Sequence, residues 1–337
     1  MLKNSVKVWK LARDLGITPS VDDVGDIIGY CNRRIRQFLK EFGECDTLDG
    51  LLECAAAKVG TFFIEIDSDQ TLAKVAREYV QRGERMFANL ERELAGEVYG
   101  VTFRLQKREN WESRFVSIID YRGPKAFKSY FTKWHEVAHL LVLTDQSRLT
   151  FARTHESGSR DPEEALMDVI ASRFGYYAPI IRRHANGRIS FTAIESIRSR
   201  LCPDASRQSA VLGMVEAWPT ASVLIRAEMA VKRGELENPN QSAFGFRLGA
   251  SQALRAVRTT ANEAARKAGI YVYPNMRVPE SSVIHEVFAG SLSDGQQSEN
   301  LSSWTTSQGR RLAACPIVVE ARLAGDAVEA LITPLGL

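Results

Sequence analysis

The chain has 337 residues, 45% of them hydrophobic and 25% charged, which is typical of a globular protein with enough apolar material for a sizeable core. Its net charge of +3, from 44 basic and 41 acidic residues, is too small to indicate a nucleic-acid-binding protein. The five cysteines form no C-x-x-C pair, the first residues lack the apolar core of a signal peptide, and no apolar run has the length of a membrane span. We therefore predict free thiols, a cytoplasmic location and no membrane partner.

Residues 1–45 are predicted to form a helical N-terminal segment that is basic on one side. The sequence of this segment is compatible with a helix-turn-helix in which Arg33, Arg34 and Arg36 would face phosphate. A solvated helix face carries the same pattern of arginines. DNA binding through this segment is therefore the alternative, and not the main, prediction.

A helix–strand unit and a hairpin are predicted next. Thr47 would cap a helix over residues 48–59, and TFFIEI would follow as a short strand. Residues 70–96 keep a helical period of apolar side chains, with Gly83 as a candidate break. The strands GVTFRLQ and RFVSIIDY are predicted to pair as a hairpin.

Two helices with polar residues in apolar surroundings are predicted after the hairpin. Gly123 and Pro124 open the first helix, which carries FTKWHEVAHLLVL. After a polar loop, Pro162 opens the second, PEEALMDVIASRF. Residues 190–232 are predicted to be mostly helical.

The C-terminal part is predicted to be a separate small α/β domain over residues 246–337, after a polar linker at 232–245. It would contain a helix over 248–268 and the strands IYVYP, SSVIHEVFAG, PIVVEARL and AVEALITP. Sensing, docking and dimerisation are open roles for it.

His135, Glu136 and His139 form an H-E-x-x-H motif in an apolar helix, where polar side chains cost free energy unless they are satisfied. Residues four apart share a helical face, so both imidazoles can bind one zinc ion, with Glu136 beside them as the base for a metal-bound water. The other His-Glu pairs, at 155–156 and 285–286, have no histidine four positions after the first. We therefore predict a metal site at the first pair alone.

A catalytic zinc needs three protein ligands and an open position. Glu164 and Asp168 lie four apart on the following helix, so Glu164 can be the third ligand and Asp168 can accept a hydrogen bond from a ligand histidine. A hydrogen-bonded core cluster without metal is one alternative. A structural metal is another, although such a site usually adds a fourth ligand, often a cysteine, and no cysteine is near in sequence.

The combination resembles the ImmA/IrrE-type metallopeptidases over residues 46 to about 235. Their pattern is a helix–strand unit, a hairpin, H-E-x-x-H, and a helix of the form E-x-x-A-N-x-F-A. TLDGLLECAAAKVGTFFIEI, FTKWHEVAHLL and EEALMDVIAS occupy these places. His135 and His139 match the histidine ligands, Glu136 the base, and Glu164 the carboxylate ligand.

The second helix departs from the family pattern in part. Asp168 stands where the family often has Asn, and Ala171 matches the last Ala. Met167 and Ile170 replace the first Ala and the Phe. The resemblance implies a zinc-dependent endopeptidase, with manganese as the alternative to zinc. Its substrate would be an intracellular protein, in some members a transcriptional repressor that controls a stress response or mobile-element genes.

The predicted fold class is α+β: a mostly helical zincin-like metallopeptidase core with a small β-sheet over 46–235, plus the smaller C-terminal α/β domain. The edge of the strand at 114–120 would hold an extended substrate by main-chain pairing. A latent or ligand-gated regulator, with residues 70–96 as a lid, is the second alternative. The candidate donors to the oxyanion are His155, Tyr176, Tyr177 and His184.

Overall fold

The computed structural model describes residues 5–18, 20–106, 113–143, 150–154, 161–231, 252–306 and 309–336. The chain divides into two compact units, one of Met1–Ile180 with Arg198–Ala210, the other of Ile181–Ile197 with Val211–Leu337. Both contain helices and a β-sheet, so the protein is of the α+β class. None of the described helices has the length and apolar character needed to cross a membrane.

The first unit begins with three helices, α1 (Val6–Asp14), α2 (Asp23–Phe42) and α3 (Leu48–Val59). The side chain of Thr47 accepts a hydrogen bond from the backbone N–H of Gly50, which confirms the predicted cap of α3. α2 contacts α1 and α3, and its helical stripe of buried side chains holds it in the unit. These buried residues are Ile27, Cys31, Ile35 and Phe38.

The sheet of the first unit has the order β1-β3-β2-β4. Its strands are β1 (Thr61–Ile66), β2 (Val98–Arg104), β3 (Phe115–Asp120) and β4 (Thr150–Thr154). β2 and β3 form the predicted antiparallel hairpin, β1 is parallel to β3, and β4 is antiparallel to β2. Because β3 is hydrogen-bonded on both sides, the prediction that a substrate pairs with the strand at 114–120 is wrong.

The stretch between β1 and β2 is broken at Gly83, as predicted, because its φ of 91° does not continue a helix. It contains α4 (Asp69–Gln81), a 3-10 turn (Arg85–Asn89) and the short α5 (Leu90–Glu93). Its apolar side chains pack on one face of the sheet, where the ring of Phe87 lies 4.6 Å from that of Phe103.

The two helices of the motif follow the hairpin. A 3-10 turn (Gly123–Lys128) leads into α6 (Ser129–Leu141), and α7 (Pro162–Gly175) comes later. α6 packs against α3, α7 and the strands β2, β3 and β4, so nearly all of its side chains are buried. The chain continues with α8 (Ala178–His184), α9 (Phe191–Leu201) and α10 (Arg207–Ala217), and the division into two units falls within each of them.

The guanidinium of Arg34 on α2 donates a hydrogen bond to the carbonyl of Leu141, the last residue of α6. A cation at this place satisfies a terminal carbonyl and complements the helix dipole. Arg34 is therefore engaged inside the unit, which does not fit the alternative in which it would face phosphate. Arg33 and Arg36 are exposed.

The second unit is built on an antiparallel sheet of order β6-β5-β9-β8-β7. Its strands are β5 (Val223–Ala230), β6 (Ala253–Ala261), β7 (Asp294–Asn300), β8 (Pro316–Ala324) and β9 (Ala327–Pro334). Between these strands lie two short helices, α11 (Glu263–Lys267) and α12 (Val283–Phe288), and a 3-10 turn (Leu301–Ser303). Its core includes the fully buried Trp304.

Several sequence predictions for this part are wrong. The predicted helix over 248–268 contains strand β6, which pairs with β5, and only the short α11 is helical. The predicted strand SSVIHEVFAG contains α12, whose N-cap Ser282 accepts a hydrogen bond from Ile284 N–H. IYVYP forms no strand. The strands PIVVEARL and AVEALITP are confirmed as β8 and β9.

The compact units do not follow the predicted domain boundaries at 45, 235 and 246. The helices of residues 5–42 belong to the first unit, and β5 belongs to the second because its partners β6 and β9 come later in the chain. The helical prediction for residues 190–232 holds for α9 and α10 and fails for β5.

Candidate metal centre

α6 places three polar side chains of the motif in the core of the first unit. His135 is 1% exposed, Glu136 0% and His139 2%. The apolar residues around them pack on the sheet and on α7, which explains why the helix is buried there in spite of its polar residues. Buried imidazoles and carboxylates require partners, and most of these partners come from α7 and β2.

α6 and α7 run antiparallel, since the start of α6 meets the end of α7. The hydroxyl of Tyr130 donates to the carbonyl of Gly175 over 2.6 Å. A Cβ on Gly175 would lie only 3.2 Å from Cδ1 of Trp134, so glycine allows the close approach of the two helices. At the other end of α7, the side chain of Asp161 caps the helix by accepting from Glu163 N–H, and it pairs with Lys7 of α1.

Glu164 lies in the first turn of α7 and faces both histidines of the motif. Its Oε2 is 3.1 Å from Nε2 of His135, and its Oε1 is 3.4 Å from Nε2 of His139. One turn later, Oδ1 of Asp168 is 2.8 Å from Nδ1 of His135. The structure thus brings together the predicted ligands and the predicted hydrogen-bond acceptor.

The donor set fits a divalent metal ion. The ligand atoms of His135, His139 and Glu164 all lie within 4.8 Å of one another. Ligand atoms at about 2.0–2.2 Å from a tetrahedral zinc are roughly 3.4 Å apart, close to the two distances from Glu164. These three residues could therefore hold a metal ion.

The protonation of His135 gives a second indication of a cation. Carboxylates lie against both of its ring nitrogens, Asp168 at Nδ1 and Glu164 at Nε2. A neutral imidazole has one N–H, so two acceptors can be satisfied only by an additional proton or by a cation shared between Nε2 and Glu164. A metal ion at this point would resolve the contact, with the hydrogen bond to Asp168 fixing the tautomer.

The two glutamates of the site have opposite pKa shifts. Burial alone would raise the pKa of Glu164, but the two histidines that face it, His135 and His139, hold this pKa well below its usual range. Burial raises the pKa of Glu136, although the two histidines and Thr102 oppose this effect. Glu164 is thus ionised, as a metal ligand must be, and it lies beside Glu136, which binds a proton more readily, as a general base must.

Glu136 lies against β2, where two residues shape its surroundings. Its Oε2 accepts a hydrogen bond from Oγ1 of Thr102 over 2.7 Å. Its Oε1 is buried and has no hydrogen-bond partner among the described residues. A Cβ on Gly100 would lie 3.2 Å from this oxygen and 2.6 Å from Cγ2 of Thr132, so only glycine leaves room for α6 at this distance from β2.

Among the predicted oxyanion donors, Tyr176 lies far from this group. Tyr176 follows the 14-residue α7, so it lies roughly 20 Å along the axis from the end that carries Glu164. Its hydroxyl shares a hydrogen bond with Ser209 over 2.7 Å, and the neighbouring Tyr177 packs on Phe174. His184 belongs to the second unit, and His155 lies outside the described residues.

Three residues that contact Glu136 or support its contacts were not predicted: Gly100, Thr102 and Ser117. In the sequence, each of them is a small or hydroxyl residue with mostly apolar neighbours in its predicted strand, and this contrast was the available signal. Such residues need a partner or a close neighbour when they are buried. The identity of that neighbour depends on strand register, which the sequence does not show.

No protein-family model matches this chain, and no curated protein matches its sequence. The resemblance to the ImmA/IrrE-type metallopeptidases therefore stays a prediction from motif order, and function is argued from the geometry of the site.

Proposed function

We propose that this protein is a metal-dependent endopeptidase that hydrolyses peptide bonds of a protein substrate. The observation that supports this most is the position of the Glu164 carboxylate, which faces Nε2 of both His135 and His139 beside the buried Glu136. Two imidazoles and one carboxylate form the ligand set of catalytic zinc sites in peptidases, with one position left for water or substrate.

Zinc is the ion that this donor set suits best. Imidazole favours zinc, whereas manganese prefers sites richer in oxygen ligands. His135, His139 and Glu164 would hold the ion. When bound, it would supply Lewis-acid polarisation of the scissile carbonyl and a lowered pKa of the attacking water.

The residues of the chain supply the rest of the chemistry. Glu136 takes the proton of the attacking water and delivers it to the leaving amine. The raised pKa that burial gives Glu136 suits this role. Asp168 holds the ring of His135 by accepting from its Nδ1–H.

The proposed substrate is a polypeptide in extended conformation. Among the described strands of the first sheet, β4 is the edge next to β2, the strand that contacts Glu136. A peptide could extend the sheet there by main-chain pairing. The resemblance to the ImmA/IrrE type adds the expectation that the substrate is an intracellular protein, with a transcriptional repressor as the first class to test.

The burial of the site favours a latent, gated form of this activity as a second candidate. A general base must come within hydrogen-bond distance of the group it deprotonates, yet Glu136 is 0% exposed. Of the three proposed ligands only Glu164 has appreciable exposure, at 22% of its side chain. In this candidate a ligand or protein partner opens the site.

The first test is the metal content of the purified protein, expected at one equivalent of zinc per chain. The second is Glu136→Gln, which should keep the metal and lose cleavage of a denatured protein mixture, with new N-termini mapped by mass spectrometry. Glu286→Gln is the matched control, because Glu286 also follows a histidine, His285, without a second histidine four positions later. Wild-type cleavage by Glu136→Gln would contradict the proposal.

A further inference from the structure

A buried chain of hydroxyl groups crosses the sheet of the first unit and ends on Glu136. Oγ1 of Thr61 on β1 is 3.0 Å from Oγ of Ser117 on β3. Ser117 is 2.6 Å from Oγ1 of Thr102 on β2, which is 2.7 Å from Oε2 of Glu136. All three hydroxyl residues are buried, with 3%, 0% and 0% of their surface exposed.

Strand register explains why these groups meet under α6. Thr102 and Ser117 are directly paired in the antiparallel ladder, so their side chains point to the same face of the sheet. Their neighbours Val101 and Val116 point to the opposite face and pack in the apolar cluster with α4. Apolar side chains would ordinarily fill the positions under α6, and hydroxyl groups are retained without cost only where each finds a partner.

The direction of the hydrogen bonds follows from the bond between Thr102 and Glu136 at the end of the chain. Oγ1 of Thr102 donates its single hydrogen to Oε2 of Glu136. Thr102 then accepts from Ser117, and Ser117 accepts from Thr61. Ser117 and Thr102 thus both donate toward α6, and the hydroxyl of Thr61 has the carbonyl of Phe62, at 3.4 Å, as a second acceptor.

We infer that Thr102, supported by Ser117 and Thr61, is a positioning residue that holds Glu136 by Oε2 and leaves Oε1 as the oxygen that meets water. This inference rests on the proposed peptidase function. The terminal torsion of a glutamate side chain is broad, so a carboxylate without an anchor can turn. The hydrogen bond from Thr102 removes that freedom, and Oε1 remains unpaired among the described residues.

The kinetic test compares two variants of the full chain that differ by one functional group. Thr102→Val keeps the shape of the side chain and removes the hydroxyl, whereas Thr102→Ser keeps the hydroxyl. We expect kcat to fall by about 10- to 100-fold in Thr102→Val with KM unchanged, and to stay within about 3-fold of wild type in Thr102→Ser. Equal losses in both variants, or an unchanged kcat in Thr102→Val, would overturn the inference.

A readout that does not need activity is the carboxyl ¹³C NMR signal of Glu136 in metal-free protein labelled at glutamate Cδ. The signal is assigned by its loss in Glu136→Gln. It should move in Thr102→Val and keep its wild-type position in Thr102→Ser. An unchanged signal in Thr102→Val would show that the hydroxyl does not hold the carboxylate, and it would reject the inference.

The two readouts separate this inference from the proposed function. If the zinc-loaded wild type cleaves nothing but the NMR signal responds as expected, the peptidase proposal fails and Thr102 still positions Glu136. If the wild type cleaves and Thr102→Val cleaves equally well, the peptidase proposal stands and the positioning role of Thr102 is rejected. Should Thr102→Val fail to fold, Ser117→Ala replaces it, because it removes the donor to Thr102 and should move the signal in the same direction by less.

Discussion

Asp168 lies 2.8 Å from Nδ1 of His135, on the side of the ring away from Glu164. The contact joins α7 to α6 and selects the tautomer of His135 in which Nε2 is free for a metal. A carboxylate in this place also strengthens the imidazole as a ligand.

Asp168→Ala should therefore weaken zinc binding by about 10- to 100-fold. Asp168→Asn keeps an acceptor oxygen and is expected to stay close to wild type. Zinc affinity is measured by competition with a chelating dye. An Asp168→Ala variant that binds zinc as tightly as Asp168→Asn would contradict the role of the hydrogen bond.

Metal binding should stabilise the first unit, because the three ligands come from two helices that the ion would join. At a free zinc concentration of 100 times Kd, the expected gain in unfolding free energy is about 2.7 kcal/mol. Thermal unfolding with zinc and with a chelator measures the difference. Glu164→Ala should abolish it, whereas Glu163→Gln, at the preceding position, should keep it.

Gly100→Ala should destabilise the protein by about 1–3 kcal/mol, because its Cβ would overlap Cγ2 of Thr132 and crowd Glu136. Thr132→Ser removes that methyl group and should restore part of the loss in the double variant. Gly29→Ala is the control, since its Cβ would meet only Nη1 of Arg33 at 3.8 Å within the helix α2. Urea unfolding of the single and double variants gives the coupling free energy between positions 100 and 132. Strictly additive changes in unfolding free energy would contradict the proposed contact.

Asp49 on α3 should make stability depend on pH. Burial, followed by the charge of Asp204, raises the pKa of its carboxyl to about 6, against about 3.9 in an unfolded chain. Because the folded-state pKa is the higher one, the folded protein holds the proton more tightly, and stability falls as pH rises from about 4 through about 6. Above about pH 6 the carboxyl of Asp49 is ionised in the folded protein, and its full destabilising effect is present.

Asp49→Asn removes this cost and should raise the melting temperature at pH 7.5 by about 2–4 °C, with no difference from wild type below about pH 4. Thermal scans over this range of pH make the comparison. The same melting temperature for both proteins at pH 7.5 would contradict the assignment.

How much the sequence predicts depends on how local each feature is. His135 and His139 share a helical face by spacing alone, and Gly83 and Thr47 act within their own turns. The approach of Glu164 could be expected because its helix follows closely in the chain. These features need little knowledge of tertiary structure.

Features that depend on strand order and register could not be predicted. The strand at 114–120 is central because β1 joins it in parallel after a long crossover. Thr102 bonds Glu136, and Ser117 supports Thr102, only because strand register places the two hydroxyl residues side by side under α6. β6 is a strand in spite of its alanine-rich sequence because β5 pairs with its whole length.

The hydrogen bond from Arg34 to the last carbonyl of α6 bears on where this protein can be shortened. A fragment beginning at residue 46, the start suggested by motif similarity alone, would lack this guanidinium and the buried stripe of α2. The helix that carries both histidines would lose the hydrogen bond at its C-terminus, and α3 and α7, which pack on that helix, would lose their contacts with α2. Preparations intended for metal or cleavage assays should therefore retain the first two helices.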